Sequence, residues 1–456
     1  MTIGQIETEE VRARISALMP QVKEDLARMV SFRSVADPKQ YPPEECTRTA
    51  DYLIEAFRGV GLTDLRAYET PDGSQAVYGW APGPPGAPTV LLYCHYDVQP
   101  PLDEAAWLTP VFELTEKDGR WYGRGTADCK GNIAAHLAAL RTLDGEFPVT
   151  VKLIAEGSEE QGTGGLEAFV PEHAELLRAD TVLVCDAGNF AAGVPTLTTT
   201  LRGLANVVVT VRTLTSAMHS GQFGGVAPDA LLALVQMLAT LHDAEGNTTV
   251  RGLDSTQKWP GVAYSPDQFR VDANVREGVD LIGSGDPADL LWARPALTVL
   301  GIDCPPVVGS SAAVQPEARA RLSLRVPPGT DAREAQDALI AHLEAVAPWH
   351  VQLEIERESF GQPFAGTTDG PGYTALRTAL EDSYGTALTT QGQGGSIPLC
   401  NVLRETYPDA EIMILGVEEP RCLIHAPNES VDPDEIAHIA LAEALFLRHY
   451  ASTSAG

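Results

Sequence analysis

The chain has 456 residues, 44% hydrophobic and 21% charged, an ordinary balance for a globular protein whose length favours two domains or one large domain with an insertion. A formal net charge of -30 without any basic stripe excludes a surface that recruits nucleic acid or anionic membrane, and no apolar run approaches the ~18 residues of a membrane span. Met1 to Pro20 lacks the basic and apolar blocks of a signal peptide, and seven scattered cysteines without a C-x-x-C pair read as reduced thiols of a cytoplasmic protein.

Glu7 to Ser31 carries Val11, Ile15, Leu18, Val22, Leu26 and Val30 at three- and four-residue steps, which predicts an amphipathic helix, and Thr47 to Val60 predicts a second. A hairpin follows from Asp64 to Trp80 around Pro71-Asp72-Gly73. Thr89 to His95 is apolar without alternation, the pattern of a strand buried on both faces, and Asp97 lies just beyond it. Gly123, Gly125 and Gly131 surround Asp128 in a tight turn that opens a helix. Val149 to Ala155 is another strand, leading into Glu159-Glu160. Thr181 to Cys185 stops on Asp186, and Ile412 to Gly416 leads to the loop carrying His425 before a last helix, Glu435 to Tyr450.

The intervening segment differs in pattern. Strands at Ala205 to Arg212, Glu317 to Val326 and His350 to Glu356, with helices at Pro228 to His242 and Asp331 to Ala345, predict an antiparallel sheet covered on one side. The fold expected is an α/β catalytic domain, residues 1–203 and 361–456, with a mixed, mostly parallel sheet flanked by helices. An α+β lid, residues 204–360, is inserted into it.

Taken singly, each acid or histidine has a bland explanation: a helix cap for Asp128, a solvated pair for Glu159-Glu160, a core histidine for His95. Together they fall at the ends of apolar segments, where an α/β sheet binds ligands. So many carboxylates repel unless cations lie among them, and imidazole with carboxylate, without thiolate, suits zinc first, with manganese or cobalt as alternatives. If Asp128 bridges two ions, His95 and Asp186 complete one position, and Glu160 and His425 the other. Glu159 is then left as a base, and Asp97 as the acid that orients His95.

These motifs resemble the co-catalytic dinuclear-zinc peptidase family of carnosinase, cytosolic nonspecific dipeptidase and aminoacylase. The resemblance covers nearly the whole chain through His95-Tyr-Asp97-Val-Gln-Pro, Gly125-Thr-Ala-Asp128-Cys-Lys-Gly, Glu159-Glu160, Asp186, His219-Ser-Gly, Gly394-Gly-Ser396-Ile-Pro and His425. It is nearest to the carnosinase-type dipeptidases, with an aspartate at position 186 where many deacylases carry glutamate. The resemblance implies amide hydrolysis of small peptides by a water held as hydroxide between the ions, with Glu159 as general base. It implies that His219 stabilises the oxyanion and Arg325 binds the substrate carboxylate. Gln393, Gly394, Gly395 and Ser396 would line the substrate pocket, and a homodimer would form through the lid.

Gln393 departs from the acid usual at that position, which favours an N-acyl-amino-acid deacylase or carboxypeptidase as the alternative. Ala313 replaces a polar residue usual before Pro316. A catalytically silent metal-binding protein is a third reading, against which the intact Glu159 argues.

Overall fold

The structure, a computed structural model, describes residues 3–395 and 397–453. The first helix, α1 (Ile3–Val30), buries Val11, Ile15, Val22, Leu26 and Val30, the face that their spacing requires. Next come α2 (Glu44–Gly59) and the hairpin β1 (Thr63–Glu69) and β2 (Gln75–Ala81). Then follow β3 (Thr89–His95), α3 (Lys130–Arg141), β4 (Thr150–Glu156), β5 (Thr181–Cys185) and β6 (Thr196–Leu201). A run of residues from β7 (Gly203–Arg212) through α4 (Ala230–Ala239), β8 (Ala296–Asp303), β9 (Glu317–Val326) and α5 (Ala332–Val346) ends at β10 (Gln352–Gly361). The chain closes with α6 (Pro371–Tyr384), β11 (Glu411–Leu415) and α7 (Pro433–Thr453).

These elements form two compact units. The first holds residues 1–199, 366–391 and 399–456, and the second holds 200–365 and 392–398. The large sheet runs β1-β2-β4-β3-β5-β11-β6. Its four central strands, β4, β3, β5 and β11, are parallel, and β1 and β2 add an antiparallel ribbon at one side. β3 is buried from Val90 to His95, and β5 along its whole length, as strands sandwiched between helices must be. α3 lies over β3 and packs against α1 and α7, while α2 covers the β1–β2 hairpin. Because the central strands are parallel, their C-terminal ends share one edge, and His95 stands opposite Glu156 there as Leu415 stands opposite Cys185.

The second unit is an antiparallel sheet in the order β8-β9-β7-β10. Ala318, Ala320, Leu322, Leu324 and Val326 of β9 turn inward with Val207, Val209 and Val211 of β7, and α4 and α5 close that face with Leu234, Met237, Leu339 and Leu343. Asp331 caps α5 by accepting the amides of Arg333 and Glu334, a device worth about 1 kcal/mol. β8 has no counterpart in the sequence reading. Only Leu297 is buried along it, so neither alternation nor a continuous buried run marks it.

All seven cysteines are free. Among the described residues no helix is long and apolar enough to cross a membrane.

Candidate metal centre

The shared edge of the parallel strands gathers five of the residues singled out above. His95 ends β3, Asp186 follows β5, Asp128 sits in the turn before α3, Glu160 follows β4, and His425 lies on the loop after β11. His95 Nε2 is 2.9 Å from Asp128 Oδ1 and 3.0 Å from Asp186 Oδ1. His425 Nε2 is 2.9 Å from Asp128 Oδ2 and 3.1 Å from Glu160 Oε2. Asp128 therefore presents one oxygen to each imidazole.

That pairing is awkward for protons alone. His95 Nδ1 faces the Asp97 carbonyl at 3.2 Å and its carboxylate at 3.3 Å, two acceptors that fix the ring proton on Nδ1. A single proton on Nε2 can bond only one of the two carboxylate oxygens at a time, whereas a cation between them is met by all three groups at once. Ligand atoms ~3 Å apart suit metal–ligand bonds of ~2.1 Å. The donor set, imidazole and carboxylate without an accessible thiolate, fits one divalent ion among His95, Asp128 and Asp186 and another among Asp128, Glu160 and His425. Cys129, the nearest thiol, is buried and donates to the Cys185 carbonyl, and burial pushes its pKa above the usual thiol range.

The charges show the strain of this assembly. Burial, then Asp186, push Glu159 up to about 9, and burial followed by Asp128 raises Glu160. Burial raises Asp186 as well. His425 is pushed up to about 11 by its hydrogen bonds to Asp128 and Glu160. Asp128 alone is drawn below the ordinary carboxylate range, burial being outweighed by the two imidazoles.

Supporting residues hold the ligands. Asp97, buried, accepts the Glu159 amide at 3.1 Å and the Glu160 amide at 3.0 Å, so it orients both His95 and the acidic pair. The Glu159 carboxylate has no hydrogen-bond partner among the described residues. Gln99 Nε2 donates to Glu160 Oε2 at 2.7 Å. Glu429, fully buried, accepts from Arg124 at 2.8 Å and from the amides of Gly125, Ala127 and Asp128 at 3.0, 3.0 and 3.1 Å, clamping the turn that carries Asp128. The Asp128–Cys129 peptide is cis. Neither Glu429 nor Glu418, a buried carboxylate beside Asp128 and Asp186, figures in the sequence reading. The only signal for Glu429 was its place four residues after His425.

The other candidates lie in the second unit. His219 is exposed, its Nδ1 accepts the Gly221 amide at 3.0 Å, and it pairs in register with Ala313. Arg325 is half-buried on β9, and burial lowers its pKa. Arg202 is buried, and its Nε and Nη1 find no partner among the described residues. Its amide donates to the Gln393 carbonyl at 3.0 Å, and the Gln393 Oε1 is likewise unpartnered. A side chain on Gly394 would press on the Arg202 guanidinium, which accounts for glycine there, while Gly395 is exposed. Ser396 lies outside the described residues.

Residues 91–449 match the model of the peptidase family M20/M25/M40. The chain belongs to that family. It is 41% identical over 438 residues to a cysteinylglycine-S-conjugate dipeptidase of Corynebacterium striatum, covering 94% of this chain and 95% of the relative. It is 26% identical to the beta-Ala-His dipeptidase of Rattus norvegicus, covering 91% and 85%. The fold matches the crystal structure of human carnosine dipeptidase 1 with a TM-score of 0.80 at 23% identity, covering 98% of this chain and 99% of that one. Dug1p of Saccharomyces cerevisiae matches with a TM-score of 0.79 at 21% identity, covering 98% of each. As a member of the M20 family the chain is a metallopeptidase, and divalent ions belong to its chemistry.

Proposed function

We propose that the chain hydrolyses the amide bond of dipeptides with two divalent ions, zinc in the first instance, held by His95, Asp128, Asp186, Glu160 and His425. The observation that carries this reading is the bracketing of each imidazole Nε2 by two carboxylate oxygens, with Asp128 common to both. When bound, such ions lower the pKa of water to about 7 and polarise the scissile carbonyl.

Glu159 takes the proton of the attacking water and delivers it to the departing amine. Its backbone is pinned by Asp97 while its carboxylate stays unbonded, as a proton carrier requires. In this reading His219 steadies the oxyanion, Arg325 receives the substrate carboxylate through its planar fork, and Gln393, Gly394, Gly395 and Ser396 line the pocket. The first unit is the catalytic domain and the second the lid. A homodimer through the second unit draws support from β8, an edge strand that exposes Val299, Leu300 and Ile302. Free cysteines throughout support a cytoplasmic location.

The relative named for cysteinylglycine conjugates makes cysteinylglycine and its S-conjugates the first substrates to try. One residue favours a second reading, an N-acyl-amino-acid deacylase: Gln393 offers an unpartnered amide oxygen and no charge for a free amino group. Comparing kcat/KM for free cysteinylglycine with its N-acetylated form separates the two. The dipeptidase reading requires the free form to be preferred, and equal or faster cleavage of the blocked form would overturn it.

A further inference from the structure

Two adjacent glutamates after β11 have opposite surroundings. Glu419 is paired with Arg120 at 2.7 Å and caps the short turn that follows. Glu418 is 7% exposed, and among the described residues its carboxylate makes neither an ion pair nor a hydrogen bond. It is also fixed in place. Its carbonyl accepts the Asn189 amide at 2.7 Å, and its backbone bridges Gly188, where any side chain would collide with Glu418 itself. An ionised carboxylate buried without a donor costs several kcal/mol, and what surrounds this one is mostly more negative charge. Its ligand oxygen lies within 4.8 Å of those of Asp128 and Asp186.

We propose that Glu418 is an additional oxygen ligand at the position formed by His95, Asp128 and Asp186, and that it biases this position toward manganese over zinc. The inference rests on the dinuclear reading and departs from it at one position, where manganese is favoured in place of the zinc named above. Three carboxylates and one imidazole form a hard donor set suited to six-coordinate ions, whereas zinc is content with four ligands and takes nitrogen and sulfur readily. The position of Glu160 and His425 lacks this third acid, so the two sites differ in selectivity. With Asp128, Asp186 and Glu160, Glu418 makes four ligand carboxylates, which match two divalent ions before the hydroxide of the dinuclear reading is counted and leave one excess negative charge once it is.

The test compares wild type, Glu418→Gln and the shortened Glu418→Asp, each stripped and then dialysed against chelator-buffered manganese or zinc. Bound metal is read by elemental analysis and the manganese signal by electron paramagnetic resonance. Wild type should bind two ions per chain, with one manganese held about tenfold more weakly in Glu418→Gln and zinc affinity moved less than about threefold. Melting of the metal-free proteins gives a readout independent of ligation: Glu418→Gln, which has no carboxylate to remove from water on folding, should melt higher than wild type. Unchanged manganese affinity in both variants, or equal weakening of both metals, would overturn the proposal while leaving the dinuclear reading intact. Failure of wild type to bind two ions would overturn that reading itself.

Discussion

Glu429 Oε1 accepts the backbone amide of Asp128 at 3.1 Å, so the main chain of the residue facing both imidazoles is fixed by a carboxylate from the far end of the chain. With its other bonds to the same turn, Glu429 holds the loop as a rigid unit. Glu429→Gln removes acceptor capacity without removing volume. Metal affinity, measured by chelator competition, should fall by about tenfold or more, as for other residues that orient ligands. The variant should still fold, and unchanged affinity would show that the turn holds without this clamp.

Glu159→Gln should keep both ions and lose turnover. A proton carrier contributes about 10²–10⁴-fold, so kcat should fall by that amount with KM little changed. Metal content measured on the same preparation decides the matter: loss of an ion would make Glu159 a ligand instead of a base.

Much of the large sheet was legible because β3 and β5 are apolar runs that stop at His95 and just before Asp186, and β11 is an apolar run that stops at Gly416, and the parallel sheet brings such ends together. The alternation of β9 was equally plain, since Arg319 and Arg321 lie on the face opposite Leu322 and Leu324. Glu418 was not legible, because Val417-Glu418-Glu419-Pro420 looks like a solvated turn until its backbone is seen pressed against Gly188. β8 escaped because an exposed edge strand buries almost nothing that a pattern could report. The segment 392–398 groups with the second unit, where the Arg202 amide donates to the Gln393 carbonyl, a pairing of residues distant in sequence that no local signal reveals.

Beneath the candidate centre, His136 Nδ1 lies 2.6 Å from Glu443 Oε2, joining α3 to α7, and both side chains are buried. Burial alone would lower the pKa of His136, but Glu443 prevails and holds it well above the usual imidazole range. A raised folded-state pKa gives stability that is complete below the unfolded value of ~6.5 and is lost as pH rises through the folded one. Glu443→Gln should cost about 3 kcal/mol in denaturant unfolding near pH 6, and the gap from wild type should narrow in alkaline buffer. A gap that is constant with pH would mean that the pair is not ionised.

Gln393→Glu supplies a negative charge where the chain has none. If this position meets the substrate's amino end, the ratio of kcat/KM for free cysteinylglycine over its N-acetylated form should rise by about tenfold, roughly the worth of one charge-assisted hydrogen bond. An unchanged ratio would place the amino group elsewhere.

The most direct test of the account strips the protein with a chelator and titrates zinc or manganese back while following hydrolysis of cysteinylglycine. Activity should be absent from the stripped chain and return to a plateau at two ions per chain. Full activity in the stripped chain, or none at any metal loading across a panel of dipeptides, would contradict it.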